Sequence, residues 1–155
     1  MTLEIGDEAP DFALPDQHRQ TVRLADLRGR KNVVLVFFPM AFTRVCTGEL
    51  CTIRDEIADF DSDAVQTLAI SCDAGPSLAR FAAEEGYSFP LLSDFWPHGE
   101  VSRAYDVFDE AAGCPRRSSY VVDREGLVRW AVHNAMAEGR NLDEHLAQLG
   151  AVLSV

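Results

Sequence analysis

Four cysteines are the residues of this chain best suited to covalent chemistry, and Cys46 stands in the most informative place. It closes the stretch Pro39-Met40-Ala41-Phe42-Thr43-Arg44-Val45-Cys46, directly after the apolar run Val33-Val34-Leu35-Val36-Phe37-Phe38. That run suits a central strand covered on both faces. A helical pattern follows, with Cys46, Leu50, Ile53, Ile57 and Phe60 on one stripe. If Thr43 caps that helix, Cys46 falls in its first turn. There, free backbone N–H groups and the positive dipole end favour a thiolate, the nucleophilic form of cysteine. Position alone leaves a second reading open, in which Cys46 is a small apolar residue that begins the core stripe.

The elements needed to hold such a site can be read along the chain. Asp11 to Leu14, between Pro10 and Pro15, is expected to be extended and to end in a turn, and Thr21 to Leu24 reads as a short edge strand. Gln66 to Ser71 is a second strand, so strand, helix and strand form a βαβ unit with parallel strands. A helix over Pro76 to Glu85 buries Leu78, Phe81 and Ala82 and stops at Gly86. Tyr120 to Val122 and Leu127 to His133 flank the turn Asp123-Arg124-Glu125-Gly126 as an antiparallel hairpin. A last helix, with Leu142, Leu146, Leu149 and Leu153 on its core stripe, starts at a capping-box-like Asn141 and Glu144. A βαβ half followed by a ββα half is the plan of the thioredoxin fold, an α/β class with a central mixed sheet flanked by helices. No repeat or linker interrupts it, so residues 1–155 read as one domain.

Composition narrows the function. A net charge of -11 repels phosphate backbones and anionic lipid, which argues against nucleic-acid and membrane-surface binding. The acidic opening, Met1 to Glu8, has no apolar run, so no export signal is expected and the cysteines should sit reduced in a cytoplasmic protein. The histidines, His18, His98, His133 and His145, are scattered. The Cys46/Cys51 pair has no companion pair, so no metal site is expected. No glycine-rich phosphate loop or dinucleotide fingerprint occurs, and no cofactor is expected.

Pro39, Thr43 and Cys46 at this spacing form the PxxxTxxC signature of the peroxiredoxins, which the chain resembles from Ala9-Pro10-Asp11-Phe12 through Ser93 to Gly99 and on to Val121-Val122-Asp123. Val36-Phe37-Phe38-Pro39 and Phe95-Trp96-Pro97-His98 look most like the AhpE-type, one-cysteine subfamily. The resemblance implies a thiol-dependent peroxidase. Cys46 would be the peroxidatic nucleophile, Glu49 a supporting polar residue, and Arg117 the arginine that a later strand brings to the sulfur. Strand alternation sends the neighbouring Arg116 to the opposite, solvated face. In this reading Arg117, the Thr43 hydroxyl and first-turn N–H groups donate to the peroxide oxygens. Pro39 walls the pocket without competing as a donor. The product is a sulfenic acid.

Cys51 departs from the one-cysteine pattern and stands where the bacterioferritin-comigratory-protein (PrxQ) peroxiredoxins carry a resolving cysteine. Five helical residues separate two Cα atoms by about 8.6 Å, beyond disulfide reach, so resolution by Cys51 requires the first turns to unwind. Cys51 also points mostly away from the core stripe. Either Cys51 resolves the sulfenic acid or an external thiol does. The AhpE resemblance implies mycothiol with a mycoredoxin as reductant; the Cys51 resemblance implies thioredoxin. Cys72 reads as an inert core thiol and Cys114 as an unreactive loop thiol near Arg117. Trp96 and Phe42 read as packing residues; because peroxiredoxins often pair through the surface near the active site, either could instead meet a second copy in a homodimer. The alternatives are a thiol–disulfide oxidoreductase, which would normally carry a Cys-x-x-Cys that is absent here, and a redox-sensing adaptor on the same scaffold.

Overall fold

The computed structural model describes residues 3–153; Met1 and Thr2 of the acidic opening lie outside them. The chain begins with a hairpin of β1 (Ala13–Pro15) and β2 (Thr21–Arg23), a separate two-stranded sheet rather than an edge of the main one. Next come β3 (Asn32–Phe37), α1 (Arg44–Asp55), α2 (Ile57–Phe60), β4 (Val65–Ser71) and α3 (Gly75–Glu85). They are followed by β5 (Leu91–Ser93), α4 (Glu100–Ala104), a small hairpin of β6 (Phe108–Asp109) and β7 (Cys114–Pro115), then β8 (Arg117–Val122), β9 (Val128–Asn134) and α5 (Leu142–Leu153).

The main sheet has the order β5-β4-β3-β8-β9. β3 lies parallel to β4 and antiparallel to β8, so the sheet is mixed, as expected. All six β3 residues are buried because alternate side chains feed two cores. Val34, Val36 and Phe38 meet α1, α3 and α5, while Val33, Leu35 and Phe37 pack with Tyr105, Tyr120 and the N-terminal segment. The β8–β9 turn forms as its residues suggest: Gly126 takes φ 84, and Asp123 Oδ1 accepts from the N–H groups of Glu125 and Leu127. Gly86 ends α3 in the left-handed conformation, also as expected.

Three regions differ from the pattern in the sequence. The stripe from Cys46 to Phe60 is two helices, because the backbone departs from helical geometry at Glu56. β5 and α4, with no strong periodicity of their own, form where β4 and Asp94 provide partners. On α5 the buried stripe is Leu142, His145, Leu149 and Val152, with Leu153 43% exposed. A histidine takes a core position because the Asn141 carbonyl one turn earlier and Ser119 Oγ from β8 engage both ring nitrogens, and the second of these partners leaves no mark in the helical pattern. Among the described residues no helix is long and apolar enough to cross a membrane.

Candidate active site

Pro39 to Thr43 carries the chain from the end of β3 into α1. Asp73 pins this turn: its Oδ2 accepts from Ala41 N at 2.9 Å and from Ser71 Oγ at 2.7 Å. Phe42 adopts φ 66, an uncommon conformation for a non-glycine residue, and its ring packs 5.0 Å from that of Phe81. Thr43 occupies the N-cap position with extended backbone, but its hydroxyl makes no capping bond. It donates instead to the Met40 carbonyl at 2.7 Å, which corrects the expectation of a side-chain cap. The turn competes for that hydroxyl and wins. Cys46 is nonetheless the third residue of α1, where helix N–H groups lack intrahelical acceptors, and it has no exposed surface.

Arg117 opens β8, on the far side of β3 from β4. Its Nη1 lies 3.3 Å from Cys46 Sγ and also bonds Glu49 Oε1. Its Nε and Nη2 donate to the Met136 carbonyl at 3.1 and 2.7 Å, so the guanidinium plane is held from behind. Arg116 is exposed, as strand alternation requires. Glu49 Oε2 accepts from both the backbone N and the Nε of Arg140, at 2.7 and 2.8 Å. Arg140 extends the network to Ser118 O, Ser119 Oγ and Phe37 O, and Ser119 Oγ meets His145 Nε2 at 2.7 Å.

Burial works against the Arg117 charge, but the Cys46 hydrogen bond and Glu49 outweigh it and hold its pKa above the ordinary value. Arg140 is pulled down by burial, only partly offset by Glu49. Three buried charged side chains, two positive and one negative, leave an excess positive charge beside the sulfur. Beside the Arg117 guanidinium opens a mostly apolar cavity of about 240 Å³, lined by Pro39, Met40, Thr43, Arg44, Val45, Arg117 and Met136, with Cys46 itself buried behind this lining.

The fold thus assembles Pro39, Thr43, Cys46, Glu49 and Arg117 at one place. Cys51 lies elsewhere, and not as expected. It is partly buried against the core because α3 and Tyr87 close over that flank, with Sγ 3.4 Å from both Glu85 Oε2 and Tyr87 Oη. Cys72 is buried, and burial, assisted by Asp94, raises its pKa to about 12. Cys114 is not in an open loop: it is buried in β7, and burial first, then Asp109 and Cys46, push its thiol up. Sequence reasoning missed Arg140, Met136, Ser119 and His145. Met136 acts through its backbone carbonyl, which carries no residue-type signal. Arg140 resembles any arginine before a helix until Glu49 comes opposite it.

Residues 5–131 match the AhpC/TSA family. The chain is 50% identical over 139 residues to alkyl hydroperoxide reductase E of Mycobacterium tuberculosis, covering 90% of this chain and 91% of that protein. Among solved structures, Enterococcus faecalis AhpC superposes with a TM-score of 0.88 at 28% identity, covering 97% of this chain and 92% of that one. The peroxidoxin BcpB of Mycobacterium tuberculosis gives 0.85 at 33% identity, covering 97% and 98%. A cysteine in a helix's first turn under a guanidinium, on a fold shared with these proteins, therefore has one family placement: the chain belongs to the AhpC/TSA family and is a peroxiredoxin, a thiol-dependent peroxidase.

Proposed function

We propose that Cys46 is the nucleophile that reduces hydrogen peroxide and organic hydroperoxides, with peroxynitrite as a further substrate of the same chemistry. The observation that carries this reading is the 3.3 Å contact from Arg117 Nη1 to Cys46 Sγ. A thiolate there neutralises the excess positive charge of Arg117, Arg140 and Glu49, and a buried charge persists only when it is compensated. The thiolate attacks one peroxide oxygen: an S–O bond forms, the O–O bond breaks, and sulfur loses two electrons. The departing oxygen leaves as hydroxide or alkoxide, which takes up a proton from solvent, or, from peroxynitrous acid, as nitrite. Arg117, held by Met136 O, and the first-turn N–H groups of α1 are fixed before the reaction and donate to the developing charge. Thr43 spends its hydrogen on Met40 O, so its oxygen is free to accept the hydroperoxide's O–H. Pro39 contributes an apolar wall that offers no competing N–H.

The Cys46 sulfenic acid then condenses with a second thiol, forming a disulfide and releasing water. Cys51 serves as that thiol once the start of α1 unwinds and its contacts with Glu85 and Tyr87 break. An external thiol reductant, mycothiol with a mycoredoxin or thioredoxin, returns the enzyme to its starting state. The exposed Met40, Phe42, Phe95 and Trp96 supply an apolar surface that a second copy would cover in a homodimer. Four free cysteines accord with a cytoplasmic setting that keeps thiols reduced.

Stopped-flow mixing with hydrogen peroxide tests the reading: the unaltered chain oxidises rapidly and Cys46→Ser does not. Mass spectrometry of the oxidised chain then distinguishes a Cys46–Cys51 disulfide from a sulfenic acid awaiting an external thiol. Peroxide consumption by Cys46→Ser at the unaltered rate would refute the assignment.

A further inference from the structure

His145 is the most deeply buried histidine of the chain, 1% exposed, and nothing in the peroxidase chemistry above uses it. Its two ring nitrogens are both engaged. Nδ1 lies 2.7 Å from the Asn141 carbonyl, which can only accept, so the hydrogen of the neutral ring sits on Nδ1. Nε2 is therefore a lone pair, and it lies 2.7 Å from Ser119 Oγ, which must donate to it. With its hydrogen committed there, Ser119 Oγ presents its own lone pairs to Arg140 Nη1, 2.8 Å away. Arg140 in turn holds Glu49 through its backbone N and its Nε, and Glu49 holds the Arg117 nitrogen that touches Cys46.

Every bond in this relay has one permitted direction. We propose that His145 is a positioning residue for the peroxidase reaction: by accepting from Ser119 it orients the hydroxyl that anchors Arg140, and so sets the placement of Glu49 and Arg117 against Cys46. The inference rests on the reading of Cys46 as the nucleophile.

The surroundings of the ring agree with this role. Trp130 of β9 meets it edge-on at 4.8 Å, and the charged groups that bear on it are Arg140, which disfavours a second cation, and Glu49 of α1. Burial first, opposed by the Asn141 carbonyl and reinforced by Arg140, lowers the His145 pKa to about 4. The ring therefore stays neutral, and Nε2 stays an acceptor, throughout the pH range in which a peroxidatic thiolate operates. Protonation would turn Nε2 into a donor and reverse the Ser119 hydroxyl.

The test replaces the acceptor and then restores it. His145→Leu removes both ring nitrogens, and His145→Gln returns an oxygen acceptor at about the position of Nε2. Oxidation by hydrogen peroxide is followed by stopped flow from pH 5 to 9 in the full chain. His145→Leu is expected to slow Cys46 oxidation about five- to tenfold, the scale of one lost buried hydrogen bond, and to raise the pH of half-maximal rate. His145→Gln is expected to recover most of the rate and the original half-maximal pH.

A purely packing role predicts that Leu and Gln are equally slow and leaves the pH profile in place; that outcome overturns the proposal. So does a His145→Leu chain matching the unaltered one in rate and profile. If His145→Leu does not fold, Ser119→Ala breaks the relay from β8 and decides by the same two readings, with an unchanged rate and profile again fatal. Cys46→Ser is measured alongside. Peroxide consumption that survives that substitution removes the nucleophile assignment, whereas an inert Cys46→Ser with indifferent His145 and Ser119 variants removes the relay alone.

Discussion

Helix α1 carries two cysteines five residues apart, and its two flanks give them opposite company. Cys46 is fully buried under the Arg117 guanidinium, within a network whose other members are a carboxylate and a second guanidinium. Cys51 is half-buried and faces the Glu85 carboxylate and the Tyr87 hydroxyl. The first sulfur meets a guanidinium donor, which suits an anion. The second donates to a carboxylate, which requires a hydrogen on sulfur. The same side chain on the same helix is thus equipped for attack on one flank and for retention on the other. The difference comes from the elements packed against the helix: β8 and the segment before α5 on one side, the end of α3 on the other.

The comparison can be broken hardest at Glu49. Glu49→Gln keeps the shape but strands two buried guanidiniums, and unfolding by urea should show a loss of about 3–5 kcal/mol. If stability is unchanged, charge balance does not organise this flank. Arg117→Ala removes the donor to the sulfur and, in the proposed reaction, to the leaving oxygen. The rate of oxidation should fall about 10²–10³-fold, equivalent to about 2.7–4 kcal/mol, in the same stopped-flow assay. Arg117→Lys should recover little of it, because a single ammonium cannot reach Cys46, Glu49 and Met136 O together.

Acid should weaken the Cys46 flank through His145. The unfolded ring binds a proton near pH 6.5, whereas the folded ring resists until about pH 4. Between these values the unfolded state holds more protons, so stability is lost as pH falls. The total is roughly 3 kcal/mol once the folded pKa has been passed. Urea midpoints at pH 7 and pH 4.5 should diverge in the unaltered chain and draw together in His145→Gln.

The smallest effect belongs to the Cys51 flank. Tyr87 donates to the Thr47 carbonyl at 3.2 Å and meets Cys51 Sγ, tying α3's end to the start of α1. Tyr87→Phe should cost about 1 kcal/mol and speed the appearance of a Cys46–Cys51 disulfide after peroxide, read by mass spectrometry. A slower disulfide would show that Tyr87 assists resolution rather than restraining it.

Much of this arrangement was legible in residue types and spacing. The apolar run of β3, the glycine that ends α3 and the Asp123–Gly126 turn each depend on neighbours in sequence and formed as expected, whereas the Cys46–Phe60 stripe held only as far as Ile53 before the helix broke at Glu56. Arg117 was recognised through the peroxiredoxin resemblance, by its place before Ser118-Ser119-Tyr120, and strand alternation served only to set Arg116 aside. Arg140 and His145 were not, because their meaning arises only when Glu49 and Ser119 come to face them. Thr43 was half read: its position at the helix start was right, while its hydroxyl turned to Met40 instead.

Local periodicity and turn chemistry therefore determined from sequence alone which segments become strands and helices, and that a cysteine would open a helix beyond a buried strand. Packing decided the rest, namely which thiol sits beneath a cation, which is held by a carboxylate, and how a buried histidine is oriented. Those outcomes depend on groups far apart in the chain, 26 residues for Ser119 with His145 and 91 for Glu49 with Arg140, even though the Asn141 carbonyl that sets the ring's tautomer lies only 4 residues from it. Hydrogen bonds and charges act through space, and no short window of sequence encodes the distances over which they act.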